Sequence, residues 1–349
     1  MNPIHTSRRG SMLVMVAVVM VIFLIGAALC VDIAYMHMVR AELRTACDAS
    51  SRAGTSELTR TQDPNAGINR ALQFAQANTV AGQGLTLNRN EIQLGFAEAD
   101  GNGRIVFDPG GTQLNSVQVV GRRDAGSADG TVNLFFGDIF GTPDFSPAAA
   151  AVSAASVRDI ALVMDRSGSM SFPIGLGSNE PRRTALVAAL NAFVTEIENV
   201  SPTARISLST YATGATRDIP LTDDFSQIRA GINSMVPSGF TNINGGIQQG
   251  IASLETDPNR RRFAERTIVV MTDGRFNNGT PDPRFAAAEA AALGHQVHAV
   301  TFSFEARQDT MREVARVGNE GVFLHADTAG DLTEAFREIA RTLRVVTID

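Results

Sequence analysis

A twenty-residue run without a charge, Met12–Val31, constrains this chain more than any other feature of its sequence. As an α-helix the run would be about 30 Å long, which is the thickness of a bilayer's hydrocarbon core. Arg8 and Arg9 precede the run, whereas Asp32 follows it at once. Because cations collect on the cytoplasmic side of membrane helices, this asymmetry predicts a single-pass membrane protein with a cytoplasmic N-terminus and with the rest of the chain outside the cytoplasm.

A cleaved signal peptide is the alternative to a retained anchor, because it also begins with basic residues. Its apolar region is normally about 7–15 residues long and ends in a site of small residues. A lipoprotein site at Cys30 would need a small residue just before it, where Leu29 stands. The length of the run therefore favours a retained anchor that contacts the membrane through residues 12–31.

The helix is expected to continue beyond the membrane, so that residues 1–58 comprise a cytoplasmic stub, the span and a helical stalk. The stalk carries an apolar stripe at steps of three and four residues: Met36, Val39, Leu43 and Ala46. The stripe could pack against the following domain or bundle with partner helices, and the sequence leaves both open. Cys30 and Cys47 lie about 25 Å apart along the helix, too far for a disulfide within one chain. A buried free thiol is the favoured interpretation of Cys47, with a cross-link between two chains as the alternative.

Composition excludes several classes of function. The chain has 36 acidic and 30 basic residues, a net charge of −6, and every basic residue is an arginine. The charges are spread evenly without a basic face, which argues against nucleic acid as a partner. The absence of lysine excludes Walker-type phosphate loops and Schiff-base enzymes. Two cysteines are too few for a disulfide framework or a four-ligand zinc site.

Residues 59–156 are predicted to form a small α+β module without catalytic features. A helix is expected from Asp63 to Asn78, because Pro64 stands near its first turn, where proline is favoured. Strands are expected at Glu91–Ala97, Arg104–Asp108 and Ser116–Arg122, and a hairpin turn at Asp100–Gly103 joins the first two. An apolar patch and an alanine-rich run follow at Leu134–Phe140 and Pro147–Ser156. The alanine-rich run is either a linker or an edge strand.

The pattern changes to alternating strands and helices over residues 157–349. Strands are predicted at four apolar runs: Asp159–Met164, Arg205–Tyr211, Thr267–Thr272 and Gln296–Phe302. Amphipathic helices are predicted near Arg182–Glu198, Asn244–Leu254, Pro283–Leu293 and Leu332–Leu343. This alternation predicts an α/β domain with a doubly wound, mostly parallel, Rossmann-like sheet.

The residues that follow the predicted strands are candidate ligands, because such sheets bind ligands beyond the carboxyl ends of their strands. Asp165, Ser167 and Ser169 follow the first strand, and Asp273 follows the third. Thr241 lies in a loop that opens a helix between them. Carboxylates and hydroxyls form an all-oxygen site, which suits hard divalent cations. The sequence therefore predicts a Mg²⁺ site, with Mn²⁺ or Ca²⁺ as alternatives.

This pattern resembles the metal-ion-dependent adhesion site of von Willebrand factor type A domains. The three loops read MDRSGSM, SGFTNINGG and VVMTDG, in the order and strand placement of that family. The resemblance implies that Ser167 and Ser169 bind the metal directly, and that Thr241 binds it directly or through water. It implies that Asp165 and Asp273 bind mostly through water. A carboxylate of a protein partner would complete the coordination shell.

Enzyme functions have weaker support, and the chain is expected not to be an enzyme. A phosphatase with Asp165 as its nucleophile would need a second carboxylate where Ser167 stands, and also a lysine. A serine hydrolase would need a nucleophile elbow, but the second glycine of G-x-S-x-G is missing around Ser169. A metal-dependent hydrolase is the remote alternative, because no general base is apparent.

The N-terminal part resembles the start of TadG-type proteins of the Flp/Tad pilus-assembly system. The residues that carry this resemblance are Arg8–Gly10, the apolar span, Val31–Tyr35 and Leu43–Ala49. The resemblance implies one anchor in a bacterial inner membrane and a periplasmic or extracellular C-terminal domain. Pilin-like relatives are cut after a glycine and carry glutamate five residues later. This chain has Met15 at that distance from Gly10, so cleavage by a prepilin peptidase is not expected.

These features predict a membrane-anchored, metal-dependent protein-binding component of Flp/Tad pilus assembly or anchoring. A partner Asp or Glu, on a pilus-assembly or envelope protein, would fill the open position of the metal. The main alternative is a von Willebrand type A adhesin, or an envelope-binding protein, without an assembly role.

Overall fold

The chain folds into two compact units, one up to Ala154 together with the last two residues, and the other from Ala155 to Thr347. The computed structural model describes residues 9–99, 105–110, 113–155, 157–175, 178–274, 281–343 and 347–348. The predicted hairpin turn Asp100–Gly103 lies outside the described residues.

The first unit is organised by one long helix, α1, Arg9–Thr61. Within the described residues, it is the one helix that is long and apolar enough to cross a membrane. Its large apolar side chains from Met12 to Ile25 are exposed. Exposed apolar side chains around a whole helix are what a lipid environment requires, so the anchor predicted from the sequence has the expected form.

The apolar stripe on the distal half of α1 packs within its own unit. Val39, Leu43 and Ala46 are completely buried, and α1 packs against helix α2 (Pro64–Ala77) and a strand of the same unit. Of the two uses that the sequence left open, the structure supports packing against the α+β module that follows α1 in the same unit. Cys47 is a buried free thiol, as the sequence favours, and burial raises its pKa to about 11.

The rest of the first unit is an α+β arrangement. Asp63 caps α2, because its carboxylate accepts the backbone N–H of Asn65 at 2.9 Å. The other elements are β1 (Thr79–Val80), β2 (Gln83–Gly84), a 3-10 turn (Arg89–Glu91), β3 (Ile92–Ala99), β4 (Ile105–Pro109), β5 (Ser116–Arg122), β6 (Val132–Asn133), α3 (Gly137–Phe140), β7 (Asp144–Phe145) and β8 (Ala148–Ala155). The larger, five-stranded sheet has the order β15-β8-β5-β3-β4, in which β15 is the strand Thr347–Ile348, and the neighbours from β8 to β4 pair antiparallel. The alanine-rich run is therefore a strand rather than a linker.

The second unit alternates strands and helices, as its sequence predicts. Its elements are β9 (Arg158–Asp165), a 3-10 turn (Gly168–Ser171), α4 (Arg182–Val200), β10 (Arg205–Tyr211), β11 (Ala215–Thr222), α5 (Phe225–Ser234), α6 (Ile243–Glu255), β12 (Glu265–Thr272), α7 (Pro283–Ala292), β13 (Gln296–Phe302), α8 (Gln308–Val317), β14 (Phe323–Ala326) and α9 (Ala329–Thr342). The six-stranded sheet has the order β11-β10-β9-β12-β13-β14. Its strands pair in parallel except for β11, which is antiparallel to β10. The predicted doubly wound, mostly parallel sheet is confirmed.

Helices cover both faces of this sheet, so its central strands are apolar on both sides. On β9, Leu162 packs in the cluster that α4, α5 and α9 complete. The next residue, Val163, packs in the opposite cluster with α6, α7 and α8. This two-sided burial explains why the strand reads as a continuous apolar run rather than as an alternating one.

His298 is a packed residue of β13. It is 1% exposed, and its Nδ1 accepts the backbone N–H of Val322 at 2.9 Å. Burial, followed by the charge of Arg158, lowers its pKa from 6.5 to about 4. The neutral ring is therefore the form that the fold accommodates.

We expect His298 to make the unfolding free energy pH-dependent between pH 6.5 and 4. Above pH 6.5 the ring is neutral in both states and its contribution is complete. As the pH falls toward 4, the unfolded chain takes up the proton first, and the contribution is lost, up to about 3 kcal/mol. Urea unfolding of the full chain in detergent, compared with His298→Gln, should show the steeper acid loss in the wild type.

His37→Gln is the matched control, because His37 lies exposed on α1. It should follow the wild-type pH curve. If His298→Gln also follows that curve, the ring is not held neutral by the fold.

Candidate metal centre

The parallel pairing of two central strands brings two aspartates to one edge of the second unit's sheet. In this pairing Met164 of β9 lies opposite Met271 of β12. Asp165 is the last residue of β9, and Asp273 follows β12 directly. Both carboxylates are buried, at 1% and 0% exposure. The edge is the carboxyl edge of the sheet, where ligands of such folds bind.

The loop after β9 curls around the carboxylate of Asp165. Its Oδ1 accepts the backbone N–H of Ser167 at 2.7 Å. Its Oδ2 accepts the hydroxyl proton of Thr272 at 2.9 Å. Both oxygens of Asp165 are thus already engaged by protein donors, which orients the carboxylate and fixes the start of the loop.

Three oxygen atoms form a continuous hydrogen-bonded chain beside this carboxylate. The hydroxyl of Ser169 donates to Oδ1 of Asp273 at 2.7 Å, and the Oγ atoms of Ser167 and Ser169 are 2.9 Å apart. A hydroxyl has one proton, so Ser167 is the donor to Ser169. Each serine oxygen keeps a lone pair for a further partner, which suits a cation ligand.

The loop that carries Thr241 lies beside the loop that follows β9. The backbone N–H of Gly168 donates to the carbonyl of Gly239 at 3.0 Å, and that of Ser238 donates to the carbonyl of Arg166 at 2.7 Å. Gly239 has φ of +77°, a conformation that favours glycine. Two residues later Thr241 is 4% exposed. The structure therefore brings the loop of Thr241 to the same strand edge as the two serines and the two aspartates.

Arg182 is a member of this cluster that the sequence analysis missed. Its guanidinium donates to Oδ2 of Asp273 at 3.1 Å and to Oε2 of Glu305 at 2.8 Å. It is 3% exposed and is the first residue of α4. A cation at a helix N-terminus opposes the helix dipole. That unfavourable placement was the available signal that Arg182 has an acidic partner.

The cluster has more acidic than basic side chains. Burial, followed by the charge of Asp273, raises the pKa of the Asp165 carboxyl. Burial also raises the pKa of Asp273, against the lowering effect of hydrogen bonds from Ser169 and Arg182. Two buried carboxylates face one buried guanidinium, so an added cation would be stabilised here.

The chemistry of these donors fits a hard divalent cation. The predicted ligands offer hydroxyl and carboxylate oxygens, which Mg²⁺, Mn²⁺ and Ca²⁺ accept. Across the described residues, no group of three or more His, Cys, Asp or Glu side chains could hold a metal. The candidate site has two such side chains, Asp165 and Asp273, and its other oxygens are those of hydroxyl groups.

Comparison with protein families agrees with this geometry. The family profile of the von Willebrand factor type A domain matches residues 159–338, about half of the chain. The chain belongs to the von Willebrand factor type A family. A second profile, described as putative Flp pilus-assembly TadE/G-like, matches residues 10–66. The two matches confirm the TadG-type architecture that the sequence resembles. The apolar helix together with the Tad-like segment indicates a membrane-anchored protein.

Individual relatives are distant. A UPF0353 protein of Mycolicibacterium paratuberculosis is 24% identical over 212 residues, 54% of this chain and 61% of that protein. The chain thus spans less than two thirds of this curated relative. The PilB minor pilin of Streptococcus sanguinis has a TM-score of 0.46 at 15% identity, over 75% of this chain and 80% of its own. Proximal thread matrix protein 1 of the mussel byssus, solved with a zinc-occupied MIDAS motif, has a TM-score of 0.46 at 21% identity, over 56% of this chain and 47% of its own.

Removing Arg182 should destabilise the metal-free protein. In Arg182→Met the buried carboxylate of Asp273 loses its guanidinium, and breaking one side of a buried ion pair costs about 3–5 kcal/mol. Adding Asp273→Asn to this variant should restore much of the loss, because the unpaired charge is then gone. Denaturant unfolding in EDTA measures both.

Arg183→Met is the matched control on the neighbouring residue. Arg183 donates to the backbone carbonyls of Met235 and Asn233 rather than to a carboxylate. Its loss should cost about 1 kcal/mol. Equal costs for the two variants would contradict the assigned role of the Arg182–Asp273 pair.

Proposed function

We propose that this chain is a membrane-anchored protein that binds a protein ligand through a divalent cation, and that it serves Flp/Tad pilus assembly or anchoring. The observation that carries the proposal is the oxygen cluster of Ser167, Ser169 and Asp273 at the carboxyl edge of the sheet. Its occurrence in one chain with a Tad-like anchor segment supports the link to pili.

In this proposal Mg²⁺ is held by five residues: Asp165, Ser167, Ser169, Thr241 and Asp273. The serine hydroxyls bind directly, while both aspartates act mostly through water. The hydrogen bonds already made by both oxygens of Asp165 support its indirect role. Mg²⁺ retains several waters in proteins, which suits so few direct ligands. When bound, the cation supplies an open position for a carboxylate of the partner.

The proposed location is a bacterial inner membrane, with the N-terminus in the cytoplasm and the von Willebrand domain in the periplasm or outside the cell. Arg8 and Arg9 before the span support this orientation. An adhesin or envelope-binding protein without an assembly role is the competing proposal. We expect no enzymatic turnover, and hydrolysis by this chain in the presence of Mg²⁺ would contradict this expectation.

Ser169→Ala should weaken Mg²⁺ binding about tenfold or more, a loss of about 1.4 kcal/mol or more. The variant removes a proposed direct ligand together with the donor to Asp273. Isothermal titration of MgCl₂ into the EDTA-treated full chain in detergent measures the affinity. Repeating it with MnCl₂ and CaCl₂ gives the preferred cation.

Ser171→Ala is the matched control for this titration. Ser171 lies exposed in the same short 3-10 turn, two residues beyond Ser169. It should bind Mg²⁺ as the wild type does. If all three proteins bind equally, or none binds at all, the cluster is not the metal site.

Deletion of the gene should remove surface pili, counted by electron microscopy. Wild type and Ser171→Ala should restore them, whereas Asp165→Ala should not, at equal protein levels on an immunoblot. The reason is that the proposed docking step needs the cation. If Asp165→Ala also restored pili, pilus assembly would not depend on the metal site.

Persistence of pili after deletion would favour the adhesin. That alternative requires the von Willebrand domain to lie beyond the outer membrane. Protease treatment of whole cells should then degrade the domain, whereas a periplasmic domain should be cut only after the outer membrane is permeabilised.

A further inference from the structure

A hairpin of the first unit carries an exposed apolar segment, Leu134–Phe140, which we call the aromatic turn. Strands β6 and β7 pair below it, with Val132 opposite Phe145. Phe135 is 67% and Ile139 is 73% exposed. Large apolar side chains concentrated in one short exposed segment mark an interaction surface. The proposed metal site does not use this segment.

A buried carboxylate ties the aromatic turn to α1 at the end of the uncharged run. Oδ1 of Asp32 accepts the backbone N–H of Phe135 at 2.9 Å, and Oδ2 accepts that of Phe136 at 3.1 Å. Asp32 is 4% exposed, and the rings of Tyr35 and Phe135 have centroids 4.8 Å apart. Charge-assisted hydrogen bonds therefore set the level of the turn along the helix.

From this attachment the aromatic turn extends back along the apolar span. It forms an apolar groove with α1 that is lined by Leu24, Ala28 and Val31 of the helix and by Phe136 and Ile139 of the turn. Leu24 and Val31 are about 10 Å apart along a helix axis. The turn thus lies beside the last two helical turns of the span, at the depth where those residues meet lipid.

The backbone of the aromatic turn is suited to a place with little water. The N–H of Ile139 donates to the carbonyl of Phe136 at 3.0 Å, and the N–H of Thr142 donates to that of Gly137 at 3.0 Å. Internal pairing of this kind is what lipid requires of a backbone. Asp138 is exposed and charged, which limits the depth to the interface, where a carboxylate still reaches water.

We propose that the aromatic turn is a second membrane contact, which inserts Phe135, Phe136 and Ile139 into the lipid interface beside the end of the span. The proposal rests on the membrane anchor. Lipid is the occupant to which it commits, because the groove is continuous with the exposed apolar side chains of the span. Two contacts on one compact unit would fix the depth and tilt of α1 in the membrane.

The absence of tryptophan from the chain makes a direct test available. Phe135→Trp and Ile139→Trp each introduce a single reporter at an exposed position. The full chain is reconstituted into phosphatidylcholine vesicles, with and without bromine atoms on the acyl chains. Bromine quenches only those indoles that it contacts. We expect bromine to quench the emission of both variants. The fraction lost should be at least half of the fraction lost by an indole that faces lipid, for which Phe23→Trp is the standard.

Two further variants calibrate the loss. Phe23→Trp lies in the span at 74% exposure and is the lipid-facing standard, and Phe285→Trp lies on α7 at 72% exposure and is the standard for a water-facing indole. The proposal would be overturned if bromine quenched Phe23→Trp but quenched the two turn variants no more than Phe285→Trp. The groove would then be covered by a second copy or by another protein. Absence of quenching in Phe23→Trp as well would overturn the anchor together with the turn.

Discussion

The parallel pairing of β9 with β12 is the constraint on which the candidate metal centre depends. Because Met164 and Met271 are opposite one another, both strands leave the sheet at the same level, and Thr272 reaches the carboxylate of Asp165 across the strand boundary. Asp273 follows at the same edge and accepts a hydroxyl from the first loop. A shift of register by one residue would move these side chains to other faces of the sheet and disperse the cluster.

The centre concentrates charge that the fold by itself does not balance. Two carboxylates lie buried at one strand edge, where burial favours their neutral forms. Arg182 compensates part of this charge and connects it to Glu305, which is half exposed. The remaining negative charge explains why a cation would stabilise the site. A buried charge cluster of this kind is typical of functional sites, because packing alone would favour apolar residues there.

In the first unit, one continuous helix is apolar and exposed at one end and packed in a protein core at the other. Along α1 the change occurs at Asp32, whose buried carboxylate accepts backbone N–H groups of a distant hairpin. Beyond it, Val39 and Leu43 are completely buried. The same helix is therefore fixed to its own unit immediately after the uncharged run, which makes the anchor part of the folded unit rather than a flexible tether.

The sequence by itself determined the apolar span, the strand–helix alternation and the candidate ligands, because each of these is a local pattern of charge, periodicity or turn residues. It did not reveal α5, α8, β11 or β14, which are short or partly exposed elements whose places depend on neighbouring strands. Only the tertiary structure decided that Arg182 pairs with Asp273 and that Asp32 holds the aromatic turn. The first of these contacts spans 91 positions of the sequence and the second spans 103. No local pattern records which distant groups a folded chain brings together.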